Sequence, residues 1–297
     1  MSFCAVDYRL HAPVALHAKF EIHGFTALLG RSGSGKTSLL KALAGLLPAT
    51  GTPWAGMAPE ARAVGYLPQS SALFPHLTAL ENVAYPLRGP HRFQTAQALL
   101  DELGLAEFAA RPATALSGGQ AQRIALARAL ARGAKLLLLD EPSAALDATT
   151  RDVTLAWLID TVTARGIPAL AATHDPAIAG LADRLAILAN GHIIQQGSPR
   201  EVFENPQSIE AAELLGFENI WQENGACFAI RAADIEIAES GIPATITAVR
   251  EHGPGLWLEC TMPHRLTIHT KAGEKNHFSP GSSIFLKFGV SRLKRLA

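Results

Sequence analysis

The chain has 297 residues, with Lys plus Arg and Asp plus Glu both at 26, so its formal net charge is zero. That length suggests about two domains, and the charge balance argues against both a nucleic-acid partner and an acidic disordered tail. At 48% hydrophobic residues it reads as globular, with some surface covered by partners. The opening MSFCAVDYRL has neither the basic leader nor the long apolar run of a secretory signal. The apolar run at Lys135–Leu139 is far too short to span a bilayer. Cys4, Cys227 and Cys260 show no metal-ligand spacing and read as small thiols in a reducing, cytoplasmic compartment.

Up to about Gly197 short apolar strands alternate with helical stretches. Phe25–Leu29 reads as a strand and Thr37–Leu47 as a helix. From Ser70 to Gly133 the pattern turns helical: Thr78 and Glu81 form a capping box, and Arg92–Leu103 runs to a stop at Gly104. Leu136–Leu139 is an apolar run ending in acid, the pattern of a buried parallel strand. Ala148–Arg165 is helical and stops at Gly166, and Ala169–Thr173 is another buried strand. Arg184–Ala189 and His192–Gln196 flank Asn190-Gly191, a hairpin signal, and Ser198, Pro199 and Glu201 open one more helix. The expectation is an α/β core over residues 1–205 with a helical subdomain at about 70–134, then a linker at 206–234. Four short runs, Ala244–Arg250, Leu256–Cys260, Leu266–Thr270 and Ser283–Phe288, then predict a small OB-like β-barrel over 235–297.

GRSGSGKT, Gly30–Thr37, follows a predicted strand and opens a predicted helix, the context in which this motif grips phosphate. Gly30, Gly33 and Gly35 let backbone N–H groups close on the anion, with Arg31, Ser32 and Ser34 between them and Ser38 in the first helical turn. Lys36 can reach β- and γ-phosphates, and the Thr37 hydroxyl can hold Mg²⁺. Asp140 ends a buried strand where a carboxylate can support the metal; Glu141, one residue on, can polarise an attacking water. These are the elements of an ATP site. LSGGQ, Leu116–Gln120, is a second glycine-rich turn. Ser117 and Gln120 stand in a capping-box relation, but a cap does not require Gly118 and Gly119, which cost helix propensity. Two glycines at the first helical positions leave N–H groups open for a second phosphate.

GRSGSGKT, LSGGQAQRIALARAL, LLLLDEP, AALD and THD occur in the order typical of ATP-binding cassette (ABC) transporter ATPases, and residues 1–205 resemble that family. The resemblance implies that Ser117, Gly118, Gly119 and Gln120 grip ATP held by the other subunit of a homodimer. It makes Gln69, in YLPQS, a sensor of γ-phosphate and Mg²⁺, His174 the switch histidine, and Asp147 an acid of the dimer contact. Many relatives have serine where this chain has Ala144. An aromatic residue of the first strand usually stacks on adenine; Tyr8 is the candidate, with core packing the alternative.

The tail resembles the small β-barrel domains appended to importer ATPases for molybdate, tungstate, sulfate, iron and polyamines. GFTALLG with GKTSLL resembles molybdate-importer ATPases, although there is room for only about one barrel repeat. The resemblance implies a peripheral ATPase on the cytoplasmic face of the membrane. Its partners would be two permease subunits and a periplasmic or extracellular substrate-binding protein, with the helical insert as docking surface. Ser282 and Ser283 are candidate donors for an oxyanion in the tail, against the alternative of a solvated barrel surface. A soluble ABC ATPase of DNA repair or translation, and a chiefly anion-sensing module, are the competing readings; intact Lys36, Glu141 and His174 weigh against the latter.

Overall fold

The computed structural model describes residues 3–143, 146–252, 255–262, 264–270 and 278–296, without the side chains of 148 and 149. The chain divides into two compact units, Met1–Val202 and Phe203–Ala297.

The first unit is built on a nine-stranded sheet. Its elements in order are β1 (Phe3–Leu10), β2 (Leu16–His23), β3 (Phe25–Leu29), α1 (Lys36–Leu43), β4 (Thr50–Thr52), β5 (Val64–Leu67), α2 (Ala79–Ala84), α3 (Arg92–Glu102) and α4 (Gly118–Leu130). They continue with β6 (Leu136–Asp140), α5 (Ala148–Arg165), β7 (Ala169–Thr173), α6 (Pro176–Gly180), β8 (Arg184–Ala189) and β9 (His192–Gly197). The strand order is β4-β1-β2-β9-β8-β3-β7-β6-β5. β5, β6, β7, β3 and β8 run parallel, while β1, β2 and β4 form an antiparallel flank. Every residue of β3, β6 and β7 is buried, as apolar strands covered on both faces must be.

Local chemistry sets the helix limits. Gly35, at φ 100°, turns the chain into α1; Arg62 closes the other end by donating to the carbonyls of Ala42 (2.6 Å) and Leu43 (2.8 Å). The helix therefore stops at Leu43, short of the expected Leu47. Gly166, at φ 59°, ends α5 as expected. α2 to α4 make the helical insert, pinned by the fully buried Asn82. Its side chain accepts from Phe74 N (2.8 Å) and donates to the carbonyls of Phe74 (3.2 Å) and Thr78 (3.0 Å).

α7 (Pro199–Glu204) follows the last strand of the sheet. The second unit then holds α8 (Ile209–Leu214), β10 (Asn219–Glu223), β11 (Ala226–Ile230), β12 (Glu236–Ala238), β13 (Ile242–His252), β14 (Gly255–Met262), β15 (His264–His269), β16 (Ser283–Lys287) and β17 (Lys294–Leu296). It is a small β domain of two sheets, β10-β11-β17 and β12-β16-β13-β14-β15. Ile230, Ile235, Leu258, Cys260, Leu266 and Leu286 share its core, with Trp221 packed against them.

This corrects the expected linker at 206–234. β10 and β11 form a hairpin through Asn224 (φ 50°) and Gly225 (φ 77°), and β11 pairs with β17 at the far end of the chain. The segment is thus structural, and a cut near Ile235 would strip β11 of its partner. Asn219, 2% exposed, donates to Thr267 O (2.9 Å) and accepts from Thr267 N (2.6 Å), so its amide completes a strand edge. Asn219→Ala should lower the stability of the full chain by about 1–3 kcal/mol, the cost of leaving buried polar groups unpaired. Urea unfolding followed by tryptophan fluorescence measures this; an unchanged midpoint would contradict the amide's bridging role.

Candidate active site

The buried strands β3, β6 and β7 end side by side, and their ends carry the charged residues. Thr37 Oγ1 donates to Asp140 Oδ1 (2.9 Å), and the Tyr66 hydroxyl donates to Asp140 Oδ2 (3.3 Å). Asp140, 3% exposed, is therefore held from both sides. Burial and the adjacent Asp140 push the Tyr66 phenol well above its ordinary pKa, keeping it a donor.

Lys36 is 6% exposed and curls back into its own loop. Its ammonium donates to the carbonyls of Gly30 (2.7 Å) and Arg31 (3.1 Å) and lies 3.9 Å from Glu141 Oε1. Burial depresses its pKa below that of an ordinary lysine, and the charges of Glu141 and Asp140 offset part of that shift. The same Glu141 oxygen lies 2.9 Å from His174 Nδ1, where the ring nitrogen donates and the carboxylate accepts. Glu141 itself stands at φ 48°, in the left-handed region.

A cavity of about 300 Å³ lies over the loop, lined by Ser32, Gly33, Gly35, Lys36, Thr37, Ser38, Gln69, Glu141 and His174, with Val14. A neighbouring hollow of about 470 Å³ shares Thr37 and Gln69 with it and adds Tyr66 and Asp140. Hydroxyl, carboxylate and amide oxygens thus border one space, the donor set of a hard divalent cation. No cluster of three or more His, Cys, Asp or Glu that could cage a metal occurs among the described residues. The set fits a Mg²⁺ that keeps waters and phosphate oxygens as its remaining ligands.

Residues 15–144 match the family profile described as ABC transporter. The chain is 39% identical over 234 residues to an Fe(3+) ions import ATP-binding protein of Rhodococcus jostii (strain RHA1), covering 73% of this chain and 67% of that one. The chain belongs to the ABC transporter family. It is 43% identical to a sulfate/thiosulfate import ATP-binding protein of Mycolicibacterium paratuberculosis (strain ATCC BAA-968 / K-10), covering 64% of this chain and 56% of that one. Other relatives are named for spermidine/putrescine and for glucose import. Among solved structures it resembles a dimeric ATP-binding cassette in a post-hydrolysis state with ADP and Pi, at TM-score 0.54 and 26% identity, covering 67% of this chain and 99% of that one. As an ABC protein it is an ATPase, the ATP-hydrolysing subunit of an importer.

In this ABC fold, the residues expected from GRSGSGKT, LLLLDEP, YLPQS and THD come together. Ser34 lies inside the loop with its buried Oγ unpaired among the described residues. Tyr8 is a correction. It is 0% exposed, its ring lies in the core with Leu28 and Leu40, and its hydroxyl donates to Pro53 O, so it has no face to offer a base. Val14, from the turn between β1 and β2, lines the cavity instead; nothing in its sequence context marked it. Tyr66 was also missed, though it sits in YLPQS and its strand β5 pairs with β6 beside Asp140. The AALD expectation at Ala144 lies outside the described residues. Asp147 caps α5, accepting from Thr150 N (3.0 Å).

Ser117 caps α4 as expected: Gln120 Oε1 accepts from Ser117 N (3.0 Å) and Ser117 Oγ from Gln120 N (3.4 Å). The two glycines have different reasons. Gly118 is exposed, while Gly119 is buried against α5, where a Cβ would stand 2.6 Å from Thr150 Cγ2 and 3.1 Å from Thr154 Oγ1. Gly119 is thus a packing requirement. Gly119→Ala should cost about 1–3 kcal/mol by overpacking, and adding Thr150→Ser, which deletes the opposing methyl, should restore most of it. Thermal unfolding of the three variants reads this; no rescue in the double variant would refute the contact.

Proposed function

We propose that this importer ATPase works as a homodimer that closes two ATP molecules between its subunits. The observation that carries this reading is a separation within one chain. None of Ser117–Gln120 lines the cavity formed by Lys36, Thr37, Glu141 and His174. Yet Ser117 and Gly118 are exposed at the first turn of a helix, where unpaired N–H groups and the helix dipole favour an anion. The phosphate they fit is one held by a second copy.

Within each site Lys36 and the N–H groups of residues 30–37 hold the β- and γ-phosphates, with Thr37, Gln69 and Asp140 around Mg²⁺. The metal, when bound, neutralises charge on the phosphate oxygens. Glu141 takes the proton from the attacking water, and His174, bonded to the same carboxylate, orients it and faces the γ-phosphate. Asp147 contacts the partner across the dimer.

No helix among the described residues is long and apolar enough to cross a membrane, so two permease subunits supply the pathway and a substrate-binding protein delivers the cargo. Tyr85 and Phe93 in the helical insert are 55% and 40% exposed, and serve as apolar contacts for the permeases. The work is done peripherally, on the cytoplasmic face. The cargo is an oxyanion, molybdate or tungstate, on the strength of GFTALLG and GKTSLL and the β-domain tail. The sulfate relative supports this chemistry, while the iron, polyamine and glucose relatives mark the range open to the family. The β domain dimerises and senses the internal anion through Ser282 and Ser283.

Glu141→Gln should retain ATP binding and lose hydrolysis by about 10²–10⁴-fold, the usual worth of a general base. In cells the same change should stop uptake of labelled molybdate and leave ferric iron uptake intact. Wild-type turnover would exclude Glu141 as the base, and lost iron uptake with normal molybdate uptake would reverse the cargo. Ser117→Arg should bind nucleotide as a monomer and form no nucleotide-driven homodimer. Mixed with Lys36→Ala it should give some heterodimer, since one site then pairs an intact Lys36 with an intact Ser117. Sedimentation with a non-hydrolysable nucleotide distinguishes these, and stable homodimers of Ser117→Arg would overturn the trans assignment.

A further inference from the structure

A second cleft of about 500 Å³ opens at the other end of the parallel strands, where β3, β7 and β8 begin. Five strand residues, about 16 Å, separate it from the phosphate loop. Its volume is that of a small-molecule site, and its walls combine apolar and charged groups in the proportion such sites use. Val162, Ile167 and Pro168 provide the apolar side, where α5 ends and turns into β7. Gly24 (φ 50°) leaves the floor open: a Cβ there would collide with the Asp183 carboxylate.

Two opposite charges face the same space. Asp183 Oδ2 accepts from Phe25 N (2.8 Å), which orients the carboxylate; Oδ1 has no bonded partner among the described residues. Arg184 follows it, and its buried Nε likewise has no hydrogen-bond partner among them. Glu201, which feels the Arg184 charge, is bonded instead to Ser198 N (3.0 Å) and Ser198 Oγ (2.9 Å). His23, at the rim, is taken up by Glu21 at 2.9 Å. Arg184 lines the cleft with its guanidinium, and guanidinium–carboxylate pairing is the strong way to engage such a group. The adjacent Asp183 would repel a simple organic acid and would attract one that also carries an ammonium.

We infer that this cleft binds a small zwitterion with an apolar body, an aliphatic amino acid, with its carboxylate on Arg184, its ammonium on Asp183 and its side chain against Val162, Ile167 and Pro168. The site is independent of the cargo and of the dimer. An occupant would rest on the C-terminal end of α5, an 18-residue rod of about 27 Å whose other end is capped by Asp147.

Calorimetry on the full chain tests this with leucine, 4-methylpentanoate, which lacks the ammonium, and isopentylamine, which lacks the carboxylate. Leucine should bind saturably and each analogue at least ~10-fold more weakly, the loss of one charged contact. Arg184→Met should remove leucine binding, as should Thr163→Trp, an exposed lining position whose ring fills the mouth. Both should bind ATP like the wild type, which shows that they fold. Asp183→Asn keeps an oxygen for Phe25 N; it should weaken leucine and strengthen 4-methylpentanoate. Absence of heat with leucine, valine and phenylalanine at about 10 mM, a range that captures affinities weaker than millimolar, would overturn the site. So would leucine binding unchanged in Arg184→Met, and 4-methylpentanoate as tight as leucine would overturn the zwitterion.

Discussion

Two backbone hydrogen bonds join the ends of three strands: Gly30 N donates to Thr173 O (3.2 Å) and Glu141 N to Ala172 O (2.9 Å). They extend a parallel register that pairs Leu29 with Thr173 and Asp140 with Ala172. That register sets the phosphate loop, His174 and the Asp140-Glu141 pair along one edge. A slip of one residue in β6 would exchange the directions of Asp140 and Glu141, sending one into the core and the other out of the site. The all-buried leucines of β6 oppose such a slip less than they would in an alternating strand. The hydrogen bonds at the strand ends and the Thr37–Asp140 contact therefore carry much of the specification.

On that frame the charges of the site are paired with one another. Lys36 is charged, almost buried and surrounded by carbonyls, with Glu141 at 3.9 Å. An isolated ammonium at such a position would be costly, so its two carbonyl acceptors and nearby carboxylates are what keep it tolerable. Glu141 is likewise shared, between Lys36 and His174. The side chains of the candidate site thus hold one another in place.

What could be read from sequence was what is local. The phosphate loop, the Asp140-Glu141 strand end and the Thr78 and Ser117 capping boxes depend on spacings of a few residues, and the structure places them as expected. The misreadings depend on distant partners. Tyr8 is the aromatic residue that the family resemblance offers for adenine, but β1 lies between β2 and β4, and its alternate residues face a covered core. Gly119 has a second reason that spacing does not reveal, because Thr150 and Thr154, which leave no room for a Cβ, are on the next helix but one strand away. Residues 206–234 looked like a linker because their pairing partner is β17, more than sixty residues downstream of β11. Neither periodicity nor turn chemistry reports a strand's partner at that separation.

Glu141 shows how position and strain combine. A non-glycine residue at φ 48° costs of order 1–3 kcal/mol, and it persists only where the surroundings over-determine it. Here its N–H is tied to Ala172 O, Pro142 follows it, and its carboxylate is held by His174 and Lys36. Had β6 simply continued in extended form, the side chain after Asp140 would have pointed to the opposite face of the sheet. The left-handed turn breaks that alternation. It lets two consecutive carboxylates serve one site, Asp140 towards Thr37 and Glu141 towards the loop lysine. A glycine would relieve the backbone and lose the carboxylate. The strained residue is therefore what allows the end of a single strand to present two consecutive carboxylates to one site.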